Sequence, residues 1–394
     1  MIVNNSGSNN SGAQHEPNNR NYCDLNALRT IAIFGVVLMH VFDVFCSSRY
    51  LRTVCLALCG IPCLTVLLLL SGMGMHAMRM PVNFRGYLRY MRIYALPHWL
   101  VYTVFFVFQT CVILLNYHLG VDVDGLRGMG QSFDVEAIAK GYILADSYGS
   151  MTIWYMHMLA VTVAIWPLVH RVRFVPNYVV FCGLVTSGWL ISCFGPTFSQ
   201  DMLPRQLLCV AGMYLGWKAS WMRHGDHRRR CFVFGFLYVA ATVPLLILLQ
   251  DQYHYPLYSL HDLDANTSLI LCIMLHGASV TSRFCGAFFL ASVVGLLASR
   301  LVGLKAWFVR GAHASRFTFL VHRLILLGGV SVFIVPVRDM GKSWGTFPLF
   351  VISLLLAMLL MLVGHYTANL ARVYWWLNCI AIGRWRRPQI RPLT

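Results

Sequence analysis

Three ionisable residues lie in the first apolar segment of the chain. Arg29 stands near the start of LRTIAIFGVVLMH, His40 follows eleven residues later, and Asp43 comes three residues after that. Eleven residues of α-helix return to within about 20° of the starting direction, so Arg29 and His40 share one face, ~16 Å apart. Ionisable groups inside apolar segments are costly unless they face a cavity or find a partner, which makes each of them a functional candidate.

The spacing of His40 and Asp43 suits a general base. Side chains three residues apart on a helix are neighbours, so the carboxylate can accept a hydrogen bond from one imidazole nitrogen. The other nitrogen is then free to take a proton near neutral pH. The alternative is a structural one, in which a buried His–Asp pair only ties helices together. Spacing alone does not choose between the two.

The composition predicts the elements that position these residues. Of 394 residues, 58% are hydrophobic and 11% are charged, against about 25% charged residues in soluble domains. Apolar runs of roughly twenty residues recur, each long enough to cross ~30 Å of hydrocarbon. The sequence predicts an all-α integral membrane protein, a polytopic bundle of about ten transmembrane helices with a central cavity. Helices are expected near 27–46, 54–75, 93–115, 152–169, 177–193, 205–217, 232–249, 284–299 (with a start as early as 268), 317–335 and 346–371.

Loop charges predict the orientation of the bundle. Arginine and lysine concentrate at 79–92, 171–173, 218–230, 300–316 and 384–391, and acids at 122–146 and 251–264. The positive-inside rule makes the basic loops cytoplasmic, so both termini are expected inside the cell inner (plasma) membrane. The net charge of +17 then reflects topology, and nucleic acid is not an expected partner. The predicted domains are a disordered polar tail at 1–20, a membrane domain at 21–378 and a basic tail at 379–394.

Several segments together resemble the acyltransferase-3 family of membrane acyltransferases, in the branch without a C-terminal soluble domain. The first is the Arg-x10-His spacing of Arg29 and His40. The others are Ser71-Gly72 at the end of an apolar helix, the paired arginines Arg89-x-x-Arg92 in FRGYLRYMRIYALP, the Trp-containing segment IWYMHMLAVTVAIWPLV, and FTFLVHRLILL with His322. They follow one another in the order typical of the family. Two positions depart from its pattern: Asn26 replaces a common acid, and the glutamate-bearing form of the Trp helix is absent, which leaves the acceptor open.

The resemblance implies an O-acyltransferase that moves an acyl group, as acetyl, from cytoplasmic acetyl-CoA to a hydroxyl of a cell-surface or lipid-linked glycan. His40 would be the base, Asp43 its orienting partner and Arg29 the group that fixes the donor or stabilises developing charge. The acyl-CoA phosphates would be held by Arg85, Arg89 and Arg92, and the acceptor by Trp154, Tyr155 and His322.

Each of these assignments has a structural alternative. Arginines in inside loops also serve topology, and Trp154 and Tyr155 at a helix end also suit an aromatic belt. A lone intramembrane histidine often bonds a backbone carbonyl. Of His157, His322 and His365, His322 is favoured because its position resembles the late-helix histidine of the family and because Arg323 beside it adds a second buried charge.

Two other classes of function fit the same buried charges. A polytopic transporter or flippase for a glycan or small metabolite also displays intramembrane Arg, His and Asp residues, and a non-catalytic scaffold in the lipid bilayer is a third option. No cluster with metal-ligand spacing, phosphate-binding loop or dinucleotide fingerprint is found, so no metal is expected. Most of the thirteen cysteines lie in apolar runs and are expected to pack as small apolar residues.

Overall fold

The computed structural model describes residues 24–46, 49–118, 135–145, 153–194, 202–219, 226–248, 269–297, 300, 302–329 and 346–373. Within these ranges all regular secondary structure is helical, which confirms the predicted all-α class for this part of the chain. The tails predicted at 1–20 and 379–394 lie outside the described residues.

Ten long helical segments among the described residues overlap the ten predicted apolar runs, although the helix predicted at 317–335 begins earlier, at Lys305. Two of these segments are each made of two α-helices joined by a π-helical turn: α2 (Arg49–Cys55) continues through Leu56–Gly60 into α3 (Ile61–Gly74), and α4 (Phe84–Tyr90) continues through Met91–Ala95 into α5 (Leu96–His118). The other eight are α1 (Leu25–Phe45), α7 (Trp154–Arg171), α8 (Asn177–Phe194), α9 (Met202–Lys218), α10 (His227–Leu248), α11 (Leu269–Leu297), α12 (Lys305–Gly329) and α13 (Thr346–Val373). A shorter helix, α6 (Val135–Leu144), precedes α7. The start of α11 at Leu269 matches the earlier of the two predicted starts.

Six helical segments of the described chain are long and apolar enough to cross a membrane. They are Leu25–Phe42, Tyr50–Ala77, Phe84–Asn116, His227–Ile247, Ile273–Leu297 and Pro348–Ala371. This finding supports a membrane-embedded protein. The full set of about ten crossings, the central cavity and the sidedness remain predictions.

The first helix, α1, lies at the centre of the bundle. It packs against α3, α11, α12 and α13, and Leu28, Ala32, Val37 and Val41 along its length are buried. Its start is fixed by Asp24, whose carboxylate accepts hydrogen bonds from the backbone N–H groups at 26 and 27, as a helix N-cap does. The residues predicted to do chemistry therefore lie on a central helix with a defined beginning.

Glycines bring α3 and α9 into backbone contact. A Cβ atom added at Gly72 would collide with the backbone of Met213, and one added at Gly216 would collide with the backbone of Leu69. Small residues at helix interfaces allow this close approach in membrane proteins, where apolar burial alone gives no drive to associate. The contact holds the end of α3, with Ser71, at a fixed position against α9.

The helices α6 and α7 both contact the same aromatic side chains of α5. Tyr142 of α6 lies against α5, where its hydroxyl accepts a hydrogen bond from Trp99 Nε1 at 2.8 Å and its backbone carbonyl accepts one from the Tyr102 hydroxyl at 2.8 Å. His157 of α7 packs on the rings of Trp99 and Tyr102. Ala145, which ends α6, has a φ of +52°, the left-handed conformation common after a helix C-terminus.

The sequence analysis predicted no helix within the acidic stretch 122–146, so α6 was missed. At ten residues the helix is too short to give a transmembrane signal. Its contacts with Trp99 and Tyr102 place it against α5. The ring contacts of His157 with the same two residues support a structural role for this histidine.

We expect Gly216→Ala to lower the free energy of unfolding by about 1–3 kcal/mol, because the added methyl group overpacks a backbone contact. The midpoint of thermal unfolding in detergent, followed by tryptophan fluorescence, measures the change. Gly74→Ala is the matched control on α3, since a Cβ there meets nothing within 4 Å. Equal midpoints for the two variants would contradict the glycine contact.

Candidate functional site

Arg29 and His40 are accessible at the two ends of one face of α1. The Arg29 side chain is exposed and His40 is partly exposed. Between them on the same face, Ile33 and Val37 are 1% and 0% exposed. The predicted face shared by Arg29 and His40 is therefore present. Its side chains are accessible at both ends, and apolar packing buries those in the middle.

His40 lies beside His322 of α12. The centroids of the two imidazole rings are 5.4 Å apart, with the rings tilted by 33°. Near the other end of the two helices, the Thr30 hydroxyl donates a hydrogen bond of 2.9 Å to the backbone carbonyl of Phe308. The structure thus brings together two residues that the sequence analysis assigned to separate roles, His40 as base and His322 as an acceptor contact.

One backbone contact fixes the orientation of His322. Its Nδ1 lies 3.0 Å from the carbonyl oxygen of Thr318, and because that oxygen only accepts, Nδ1 carries the proton and donates it. The ring is 1% exposed, and its Nε2 has no hydrogen-bond partner among the described residues. A neutral imidazole protonated on Nδ1 has its lone pair on Nε2. The hydrogen bond from His322 to the Thr318 carbonyl is the structural alternative predicted for an intramembrane histidine. It still leaves Nε2 able to accept a proton.

The other charges near the histidine pair come from α1 and α12. Arg323 is buried and acts electrostatically on both imidazoles. Asp43 lies in α1, but its side chain is outside the described residues, so its orienting role stays a prediction.

Tyr155 links this pair to α3. Its hydroxyl lies 3.0 Å from the Ser71 hydroxyl, and its ring packs edge-on against Phe319 at 5.5 Å. Phe319 in turn lies 6.0 Å from the His322 ring. The Arg29 guanidinium acts electrostatically on the Tyr155 hydroxyl. Tyr155 is buried, so it is part of the bundle interior, and the aromatic-belt alternative does not describe it.

Trp154 is partly buried beside Tyr155. The Arg205 guanidinium of α9 lies over the indole ring, 5.4 Å from its centroid, which is within the range of a cation–π interaction. The sequence analysis did not single out Arg205. Its position on α9 next to Trp154 depends on the packing of two helices, which residue spacing does not reveal.

Arg85, Arg89 and Arg92 lie on α4 and the π-helical turn that follows it, and all three are exposed. Asn83 caps α4 by accepting a hydrogen bond of 2.8 Å from the Gly86 N–H. Among the described residues none of the three arginines has a hydrogen-bond or ion-pair partner, which leaves their guanidinium groups available to a ligand. The structure does not bring them into contact with the histidine pair.

Two further ionisable residues lie in the first half of α11. His276 and Arg283 are both buried, and their spacing of seven residues places them on one helix face. The rule that intramembrane ionisable residues are functional candidates would have found both in the sequence. Residues 24–373, where described, hold no group of three or more His, Cys, Asp or Glu side chains that could bind a metal ion.

Comparison of the chain with protein-family models, with curated proteins and with solved structures finds no match. The assignment of a function therefore rests on the residues and their geometry in this chain.

We expect a cysteine placed at position 40 by His40→Cys to react with a small hydrophilic thiol reagent. A cysteine placed at position 33 by Ile33→Cys should react at least about tenfold more slowly, because a buried thiol is inert. Mass spectrometry of the labelled peptides measures the labelled fraction at each introduced cysteine and distinguishes it from labelling of the native cysteines. Arg29→Cys serves as the exposed control. Equal labelling at 33 and 40 would show that the middle of the α1 face is open.

Proposed function

We propose that the chain is a membrane O-acyltransferase that transfers an acyl group, as acetyl, from acyl-CoA to a glycan hydroxyl. The observation that carries this proposal is the contact between His40 and His322 inside the bundle, where His322 keeps an Nε2 atom without a hydrogen-bond partner among the described residues. A buried imidazole with a free lone pair, next to a partly exposed one, suits proton transfer.

In the proposed reaction, the acceptor hydroxyl oxygen attacks the thioester carbonyl carbon. His40 takes the hydroxyl proton, the carbon–sulfur bond breaks, and the proton passes to the departing thiolate of CoA. His322 accepts a hydrogen bond from His40 through Nε2 and so holds the base in one tautomer, the role first assigned to Asp43. This requires a slight closure of the 5.4 Å ring separation, and catalytic hydrogen bonds are often longer before substrate binds.

The groups around the pair supply positioning and charge. Arg29 acts on the Tyr155 hydroxyl and helps to fix the acyl donor. The Tyr155 and Ser71 hydroxyls, 3.0 Å apart, share one hydrogen bond and have a second donor to offer the substrate. Trp154 provides a ring face for a sugar.

The exposed Arg85, Arg89 and Arg92 hold the acyl-CoA phosphates, since guanidinium forks match phosphate oxygens. In this proposal the basic side of the bundle is cytoplasmic and both termini are inside, in agreement with the positive-inside rule.

A transporter for a glycan or small metabolite is the second candidate, and the burial of His322 and Arg323 within an apolar helix favours it. Intramembrane ionisable residues often mark substrate and ion pathways. Purified protein in vesicles separates the two candidates. Acceptor-stimulated hydrolysis of acyl-CoA supports the acyltransferase, whereas solute uptake without thioester turnover supports the transporter.

We expect His40→Ala to reduce kcat for acyl transfer by roughly 10²–10⁴-fold, the usual contribution of a general base. His322→Ala should also reduce kcat, because it removes the partner of His40. Release of free CoA thiol in the presence of acceptor measures both. His365→Ala, on α13, is the control and should retain activity, since His365 contacts Asn369. A fully active His40→Ala enzyme would remove the base from the mechanism.

We expect Arg89→Ala combined with Arg92→Ala to raise KM for acyl-CoA about tenfold with little change in kcat, because charge-assisted bonds to phosphate are made equally in ground and transition states. Arg228→Ala combined with Arg229→Ala removes two exposed arginines from the first turn of α10 and should leave KM unchanged. A similar rise in KM in both double variants would show that Arg89 and Arg92 act only through the general charge of the surface.

A further inference from the structure

One side of α4 and of the π-helical turn that follows it combines arginines with exposed apolar side chains. Arg85 and Arg89 lie one turn apart on α4, Arg92 lies in the π-helical turn, and all three are exposed. Beside them, Phe84 and Leu88 are 73% and 53% exposed. We refer to these five residues as the α4 outer face.

Two hydrogen bonds fix the opposite side of α4 against the bundle. The Tyr87 hydroxyl donates to the backbone carbonyl of Ala164 at 3.2 Å, and the Tyr90 hydroxyl donates to that of Val163 at 2.9 Å. Both carbonyls belong to α7, and Tyr90 is buried. Tyr87 is two residues away from both Arg85 and Arg89, about 200° round the helix. Because the tyrosines are bound to α7, the α4 outer face points away from the bundle.

The length of the helical segment places α4 at the level of the lipid headgroups. The segment Phe84–Asn116 has 33 residues, about 50 Å at helical rise, whereas the hydrocarbon core of a bilayer is ~30 Å thick. With 23 residues, α5 alone is long enough to cross that core. Arginine is costly within hydrocarbon, so the surplus length lies at the end that carries the arginines, and α4 lies at the membrane interface.

The parts of the chain that contain α4 and α7 carry no acidic residue. Neither 49–118 nor 153–194 includes an Asp or a Glu. At the start of α10, by contrast, the Asp226 carboxylate accepts hydrogen bonds from the backbone N–H groups of Arg228 and Arg229. Positive charge without a neighbouring acid, next to exposed apolar side chains, is typical of a helix that binds an anionic lipid surface.

We propose that the α4 outer face binds the headgroup of an anionic phospholipid. The planar guanidinium groups bond the phosphate oxygens of the lipid, while Phe84 and Leu88 contact its acyl chains at the boundary between headgroups and hydrocarbon. This inference goes beyond the proposed acyl transfer and does not require it. In the proposed acyltransferase these arginines also hold the acyl-CoA phosphates, so lipid and donor would occupy them in turn.

Lipid binding by the purified full chain in detergent tests the proposal. The protein is equilibrated with equal amounts of phosphatidylglycerol and phosphatidylcholine, without acyl-CoA, and native mass spectrometry counts the bound molecules of each lipid. We expect phosphatidylglycerol to bind at least about tenfold more tightly, and Arg85→Gln combined with Arg89→Gln to remove most of that preference, because each arginine near an anionic surface contributes about fivefold. Arg228→Gln combined with Arg229→Gln is the matched control and should keep the preference.

The apolar residues of the α4 outer face distinguish a lipid from a soluble phosphate. Phe84→Ser combined with Leu88→Ser removes apolar contacts and no charge, so it should weaken binding of phosphatidylglycerol several-fold. Unchanged binding in this variant overturns the lipid assignment. So does displacement of the lipid by excess inorganic phosphate but not by chloride at the same ionic strength. Equal binding of the two lipids, or equal loss of the preference in the α4 and α10 double variants, also overturns the inference.

The lipid surface and the donor site fail in different ways. If phosphatidylglycerol binds through the α4 outer face, and Arg89→Ala combined with Arg92→Ala leaves KM for acyl-CoA unchanged, the lipid surface stands and the donor role of these arginines fails. If that variant raises KM and the protein binds the two lipids alike, the donor role stands and the lipid surface fails.

Discussion

The side-by-side packing of α1 and α12 is the constraint on which the site depends. A hydrogen bond from Thr30 to the Phe308 carbonyl ties the helices near one end, where Gly311 leaves no room for a larger residue against Thr30. Towards the other end the same packing sets His40 beside His322. A small rotation of either helix would separate the imidazoles, because they reach each other only from facing helix surfaces. The glycine contact between α3 and α9 has the same function for Ser71 and Tyr155.

Positive charge lies close to the histidine pair. Arg323 is buried and acts electrostatically on both imidazoles, and Arg29 acts on the Tyr155 hydroxyl. Ionisable groups inside an apolar bundle are costly unless they face a cavity or find a partner. Their position beside the imidazoles therefore marks this part of α1 and α12 as the candidate site, and in the proposed reaction the same charge would attract a donor rich in phosphate.

The sequence predicted the long helices well, because each apolar run is a strong local signal. It also predicted the shared face of Arg29 and His40, which follows from helix geometry alone. The contact of His40 with His322 joins residues almost three hundred positions apart, and no spacing rule reaches that far. Tyr155 was assigned to a helix end where an aromatic belt is common, but its side chain is buried against Phe319 of α12, a contact that depends on helix packing. Arg283 and His276 were visible as ionisable residues in an apolar run and were passed over.

The closed middle of the α1 face has a consequence for the membrane as a whole. A membrane protein with accessible polar groups at both ends of a central helix risks opening a pathway for protons and ions across the bilayer. Ile33 and Val37 fill the stretch between the two accessible ends of α1, and an apolar plug of this kind holds no continuous file of water. The packing of two aliphatic side chains would thus keep the two ends apart and preserve the electrical potential across the bilayer.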